Sequence, residues 1–305
     1  MEPSPRFIIR VPGSTSNLGP GFDTLGLALT LYNDFTIEPL AEAPDQLTGE
    51  AGGVALRAQD CPFFPMFEAV CRLADAPAPA LAVTLQGNVP LGVGLGWSAV
   101  ARVAGAMAAN HLLAYPFTKE ALLTALAAAE GHPDNVTPSL YGGLTATVQT
   151  KKGLIVHVYQ PAALWRVVLF VPDYTVATDK ARKALPKQVR LSDAVFNLSR
   201  MPFVIDALVA GDAAELGRVL EDRLHEPYRA ENVKRHGKLT RAAKEAGAAA
   251  TFISGAGPAL AAFCLGDELA ERVRQAMLAA AEGAKFHAEA MVLEPESQGA
   301  RLAEE

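Results

Sequence analysis

The sequence predicts an α+β protein of two interlocked α/β domains, and three observations support this. Its 305 residues are half hydrophobic and one-fifth charged, which is enough for one large core or for two that share an interface. Strand patterns crowd the first half, whereas helical patterns return in the second. No repeat, low-complexity block or flexible linker interrupts them, so a division into residues 1–165 and 166–305 is expected to fall inside one continuous body.

Residues 7–11 (FIIRV) read as a strand that runs into the Gly- and Pro-dense loop PGSTSNLGPGFDTLG. Residues 27–31 and 35–39 read as two short strands around a turn at Asn33-Asp34, and residues 41–60 as polar and irregular. Residues 81–85 alternate as a strand and lead into a second Gly-rich loop, PLGVGLGW. From Ser98 the pattern becomes Ala-rich and helical. Thr118 is placed to cap the helix KEALLTALAAAE, and Gly131 to end it. LYGGLTATVQ and LIVHVYQ read as neighbouring strands across a Lys-Lys-Gly turn, with WRVVLFVP as a third. Asp212 and Glu215 have capping-box spacing ahead of AAELGRVLEDRL, and GKLTRAAKEAGA is another helix. TFISGAGPALAAFCL reads as strand, Gly turn, strand. DELAERVRQAMLAAAEG is an amphipathic helix and KFHAEAMVLEP a closing strand.

Composition removes several function classes. The net charge of −6 argues against a sequence-independent nucleic-acid binder, although a few local arginines can still hold a small anion. Cys61, Cys71 and Cys264 are odd in number and form no CxxC pair, so neither a disulfide framework nor a zinc knuckle is expected. The first apolar run is broken by Arg10 and is too short for a secretory core. Other apolar stretches meet a charge or a glycine before about 18 residues, the least a membrane span needs. A reduced, cytoplasmic protein with no membrane partner is the expectation.

The most informative segment is Pro90-Leu91-Gly92-Val93-Gly94-Leu95-Gly96-Trp97-Ser98. Three alternating glycines directly before a helix start let the backbone approach a ligand closely. The free N–H groups of the first helical turn then favour a phosphate. Ser98 stands where its hydroxyl can meet that phosphate or its Mg²⁺. No Lys-Ser/Thr follows at Walker spacing, and no acid follows about 20 positions on as a dinucleotide fold requires. On these residues alone, a glycine loop that merely packs tightly is the competing explanation.

Two more segments decide between them. VPGSTSNLGPGFDTLGLAL, PLGVGLGWSA and ISGAGPALAAF, in that order, resemble the three signature motifs of the GHMP kinases. The first is most similar to the homoserine kinase branch. EGHPDNVTPSLYGG, TDKARKALP and HEPYRAEN extend the resemblance, which runs from about residue 7 to residue 265. It implies the GHMP kinase fold, with the nucleotide and substrate site between the two domains. It also implies ATP and Mg²⁺ as cofactors, L-homoserine as substrate, a role in threonine biosynthesis and a homodimer.

Residue by residue, the resemblance implies that Asn17 and Asp23 hold the amino and hydroxyl end of the substrate, joined by His132. Arg182 and Arg229 would grip its carboxylate. Ser98 and Glu130 would coordinate Mg²⁺. Residues Pro90 to Ser98 would contact the nucleotide, with Gly92, Gly94 and Gly96 cradling its phosphates and Gly255 and Gly257 supporting that loop. Asn17, Asp23, Ser98 and Glu130 form the implied catalytic set. A general base is left open between Asp23 and Asp134.

Two departures keep alternatives in view. Trp97 stands where the family loop normally has a serine, and its ring either obstructs the phosphate channel or turns back toward Phe63 and Phe64. The adenine-side segment AQDCPFFPMFEAV lacks the family's Asn-led helix start, and Phe63 and Phe64 suit either a purine or the core. Another small-molecule GHMP kinase and a non-catalytic metabolite-binding protein of this fold are the competing functions.

Overall fold

The computed structural model describes residues 6–40, 44–51 and 53–303. The chain opens with β1 (Phe7–Ser16) and the long β2 (Leu25–Leu40), followed by β3 (Gln46–Ala51) and β4 (Val54–Ala55). Helix α1 (Phe63–Leu73) leads to β5 (Ala80–Gly87). Helices α2 (Trp97–Leu112), α3 (Lys119–Glu130) and α4 (Val136–Tyr141) follow, then β6 (Leu144–Thr150) and β7 (Gly153–Tyr159). Among the described residues these strands form one sheet in the order β4-β3-β5-β2-β1, with β6 and β7 continuing from the other half of β2. The helices α1 to α4 cover it.

The second sheet begins with β8 (Trp165–Pro172). Helices α5 (Thr178–Lys183), α6 (Leu191–Ala210), α7 (Ala213–Val219), α8 (Glu226–Arg229) and α9 (His236–Glu245) come next. They are followed by β9 (Ala250–Ile253), β10 (Leu260–Leu265), α10 (Asp267–Ala281), β11 (Ala288–Leu293) and β12 (Arg301–Ala303). Its order is β11-β8-β10-β9, while β12 returns to pair with β1 of the first sheet. The sheets therefore divide near Trp165, but residues 301–303 cross back. A strict split at 165 and 166 remains a proposal about folding units. One core of buried side chains runs through both sheets, and a smaller one lies between the second sheet and α9 and α10.

Several elements follow the local chemistry. Thr118 caps α3 by accepting from Ala121 N–H, and Gly131 ends it at φ +86°. Asp212 accepts from Glu215 N–H at the start of α7, which stops at Val219 rather than running on through the acidic residues. The Gly turn between β9 and β10 joins two antiparallel strands.

Several expectations need correction. The Gly- and Pro-dense loop does not start at Pro12: residues 12–16 extend β1 and pair with β2, with a register shift between Pro12 and Ser14. Asn33-Asp34 is not a turn: β2 is continuous, because Asn33 accepts from Val89 N–H and Asp34 takes a bidentate pair from Arg10 on β1. Asp34 is thus paired inside the sheet, and the Asn33 side-chain oxygen is bonded there while its Nδ2 is buried without a partner. Residues 41–60 are not irregular throughout. The backbone of β3 pairs in parallel with β5 although its side chains are mostly exposed, and residues 41–43 and 52 lie outside the described residues. WRVVLFVP is not a third neighbour of β6 and β7 but a central strand of the other sheet. The 20-residue α6 was not expected from the sequence, because Leu191 and Leu198 are 80% and 70% exposed and blur its periodicity.

Candidate active site

The cleft forms where three loops meet. The first joins β1 to β2. Here Asn17 and Asp23 take positive φ of 72° and 54°, held by Asn17, whose Oδ1 accepts from Asp23 N–H at 3.0 Å. Its Nδ2 donates to the Gly255 carbonyl at 3.0 Å, so this amide ties the first loop to the β9–β10 turn. The second loop is Pro90 to Gly96, with Gly92, Gly94 and Gly96 at φ +67°, +88° and +69°. A Cβ at Gly94 would lie 2.1 Å from the Ser254 carbonyl oxygen, so only glycine fits there. The Gly92, Val93, Gly94 and Leu95 carbonyls accept from Val176, Ala259, Ser254 Oγ and Ser14 respectively. In a trans peptide the next N–H points the opposite way, so the loop's N–H groups turn away from those anchors. Gly96 precedes α2 without capping it through a side chain, leaving the helix N-terminus open to an anion.

Around this backbone the cleft gathers Asn17, Asp23, Leu91, Gly92, Gly94, Leu95, Gly96, Trp97, Ser98, Glu130, His132, Arg182, Arg229, Gly255 and Gly257. Of the expected residues, Pro90 and Val93 do not line it. Val93 is buried behind the loop, where its carbonyl anchors Ala259. The charged groups are mostly paired. Arg182 holds Asp23 through two hydrogen bonds of 3.0 and 2.7 Å across 159 residues of sequence. Ser98 Oγ donates to Glu130 at 3.0 Å, and Arg102 donates to both. His132 Nδ1 lies 2.6 Å from Asp134, which also accepts from Asn135. Arg229 differs. It is 2% exposed, donates to the Gly255 carbonyl at 2.9 Å, and has no carboxylate partner among the described residues. Its Nε is buried without any acceptor. Burial and the neighbouring Arg182 both hold its pKa below the ordinary arginine value.

Trp97 is 8% exposed and belongs to the same core as Phe63 and Phe64 while still bordering the cleft. Its indole N–H is buried without an acceptor. Phe63 and Phe64 are themselves buried in the helix that Pro62 and Pro65 begin. Proline is tolerated there because first-turn N–H groups have no partner within the helix.

The model "GHMP kinases N terminal domain" matches residues 31–143, and "GHMP kinases C terminal" matches residues 204–283. A homoserine kinase of Moorella thermoacetica is 38% identical, over 90% of this chain and 92% of its own. Another, from Gloeobacter violaceus, is 41% identical over 88% and 91%. The chain belongs to the homoserine kinases of the GHMP kinase family. A crystal structure of homoserine kinase from Cytophaga hutchinsonii superposes with a TM-score of 0.88 at 27% identity, covering 98% of both chains. The L. major mevalonate kinase, at 15% identity and a TM-score of 0.73, shares the fold. ATP use comes with membership of the GHMP kinases. Among the described residues no helix is long and apolar enough to cross a membrane.

Sequence reasoning missed Arg102 in this GHMP kinase. The available signal was its spacing of four from Ser98, which places both on one face of α2. It also undervalued Asp134, which is 2% exposed. Burial alone would raise the Asp134 pKa, but the hydrogen bond and charge of His132 outweigh it and hold the acid below its ordinary value. Burial likewise lowers His132, yet Asp134 leaves it net raised. The histidine therefore contributes stability below about pH 6.5, and that contribution is lost as the pH climbs through its raised folded value. The acid contributes above its unfolded value near 3.8 and loses this as the pH falls. In Asp134→Asn, NMR titration of His132 should give a pKa below 6.5, because burial, with Arg182 adding to it, then outweighs the pull of Glu130. An unchanged value would show that the pair is not coupled.

Proposed function

We propose that this chain transfers the γ-phosphoryl group of ATP to the side-chain hydroxyl of L-homoserine, forming O-phospho-L-homoserine for threonine biosynthesis. The observation that carries this substrate is Arg229, a buried guanidinium with no carboxylate partner among the described residues. Burying an unpaired charge is costly, so an anionic ligand is its natural complement. Beside it stands the Asp23–Arg182 pair. A zwitterionic amino acid can replace that pair group for group, its ammonium at Asp23 and its carboxylate between Arg182 and Arg229. Asn17 has one N–H and one lone pair left for the polar end of the substrate, with His132 alongside.

ATP phosphates suit the glycine loop and the N-terminus of α2. The residues also fit Mg²⁺. Ser98 Oγ and Glu130 Oε2 are hard oxygens 3.0 Å apart, close to the edge of about 2.9 Å in an octahedron with ligands at 2.0–2.1 Å. Bound there, the ion would neutralise charge on the transferring phosphates. The chain's own residues align the reaction. The hydroxyl oxygen bonds to the γ-phosphorus as the bond to the β–γ bridging oxygen breaks and ADP leaves. Asp134 is a weak base because its pKa is lowered, so the hydroxyl proton passes late to a phosphoryl oxygen or to Asp23. Alignment and electrostatics supply the rate rather than a strong base. A cytoplasmic setting agrees with three buried free cysteines. The expected homodimer is part of the same proposal and is checked by sedimentation velocity.

The test is ADP release by purified protein with L-homoserine, L-serine, L-threonine, mevalonate and galactose, followed together with tryptophan emission. L-homoserine should be the fastest acceptor. ATP should change the emission of Trp97, since Trp165 is fully buried in the second sheet with its N–H on the Leu208 carbonyl. Faster turnover of mevalonate or galactose would overturn the substrate. Absence of both ADP release and an emission change would favour the non-catalytic alternative.

A further inference from the structure

The cation already present in the candidate metal site is Arg102. Its Nη1 donates to both Ser98 Oγ and Glu130 Oε2, the two oxygens assigned to Mg²⁺ above. The site is sheltered, with the Arg102 and Glu130 side chains 23% and 11% exposed. Glu130 is also the last residue of α3, where the helix macrodipole disfavours an acid, so this carboxylate needs a cation at all times. A guanidinium and a divalent ion cannot share the same two oxygens, because like charges at that separation repel strongly. Arg102 must leave for the metal to enter.

The structure offers it a destination. Arg102 also lines a second cavity, walled by Asp60, Pro62, Pro65, Met66 and Ala129, the residue before Glu130. Asp60 is half-exposed, and its present partner is Arg57 three residues away, a surface pair of little energetic weight. It is the carboxylate lining that cavity.

We propose that Arg102 is a positioning residue with two stations. In the metal-free protein it holds Ser98 and Glu130 in register. When the metal–nucleotide arrives it turns toward Asp60 in the neighbouring cavity, so divalent-ion affinity is set by competition with this guanidinium. The inference rests on the metal-site reading given under Proposed function.

The test measures Mn²⁺ affinity of the full chain with ADP, by electron paramagnetic resonance of the free ion, together with melting temperature. Arg102→Met should tighten Mn²⁺ binding by roughly 5- to 20-fold, the size of a modest coupling between competing ligands. Arg102→Lys should tighten it less, since a charge remains. Asp60→Asn should weaken binding by removing the destination. In the double variant that Asp60→Asn effect should vanish, which a merely structural arginine would not produce. Additive effects of the two substitutions, or unchanged Mn²⁺ affinity in a folded Arg102→Met, would overturn the proposal. Glu130→Gln separates this from failure of the underlying reading. If wild type and Glu130→Gln bind Mn²⁺ equally, the metal site itself is wrong and the proposal falls with it. If only Glu130→Gln loses the ion while Arg102 proves silent, the metal site stands and the two-station arginine does not.

Discussion

Replacing Arg229 with methionine should raise KM for L-homoserine by about 10- to 150-fold, because a charge-assisted hydrogen-bonded pair is worth about 1.5–3 kcal/mol. The same variant should melt no earlier than the parent in the absence of substrate. That second expectation is what makes the test informative. In the free protein Arg229 is a buried cation with an unsatisfied Nε and no carboxylate partner among the described residues. Its one strong contact is the Gly255 carbonyl, supplemented by the face of Phe22, 5.1 Å away. Removing an uncompensated buried charge relieves its desolvation cost, which offsets the lost hydrogen bond, and methionine keeps most of the volume. A residue kept for stability would behave in the opposite way. Early melting with unchanged KM would assign Arg229 to the fold and leave the substrate carboxylate without its principal anchor.

The phosphate loop was legible because its constraint is local. Gly94 and Gly96 are required where the backbone presses against Ser254 and Ser14, and such requirements appear directly as glycines. The caps at Thr118 and Asp212 were legible for the same reason. What the sequence concealed depends on contacts distant in the chain. The Asp23–Arg182 pair spans 159 residues and Arg102 meets Glu130 across 28, so neither partner's neighbours reveal the other. The continuity of β2 depends on Arg10 and Val89, which satisfy residues that look like a turn in isolation. Trp97 belongs between these cases. Its departure from the family loop was visible, but that its side chain is 8% exposed within the large core while bordering the cleft was not. Its orphaned indole N–H is a buried donor that no local pattern announces.

Glu130→Gln should lower kcat by about 10²- to 10³-fold, the cost of losing one group that stabilises transition-state charge. Glutamine is nearly isosteric, and Ser98 Oγ can still donate to its amide oxygen, so α2 and α3 should keep their packing. Melting temperature should fall only modestly, because in this sheltered site the amide oxygen can still accept from Arg102 and Ser98 Oγ. KM for L-homoserine should stay near the parent value, since the proposed amino-acid contacts are Asp23, Arg182 and Arg229 rather than the Ser98–Glu130 pair. This pattern, kcat lost with KM and stability preserved, separates Glu130 from Arg229, where KM carries the defect. Ser98→Ala should follow Glu130→Gln in direction with a smaller loss, because the carboxylate remains. A Glu130→Gln protein that melts early yet keeps full turnover would make the residue a structural partner of Arg102, and the acid at the end of α3 would then serve the helix pair and not the phosphoryl group.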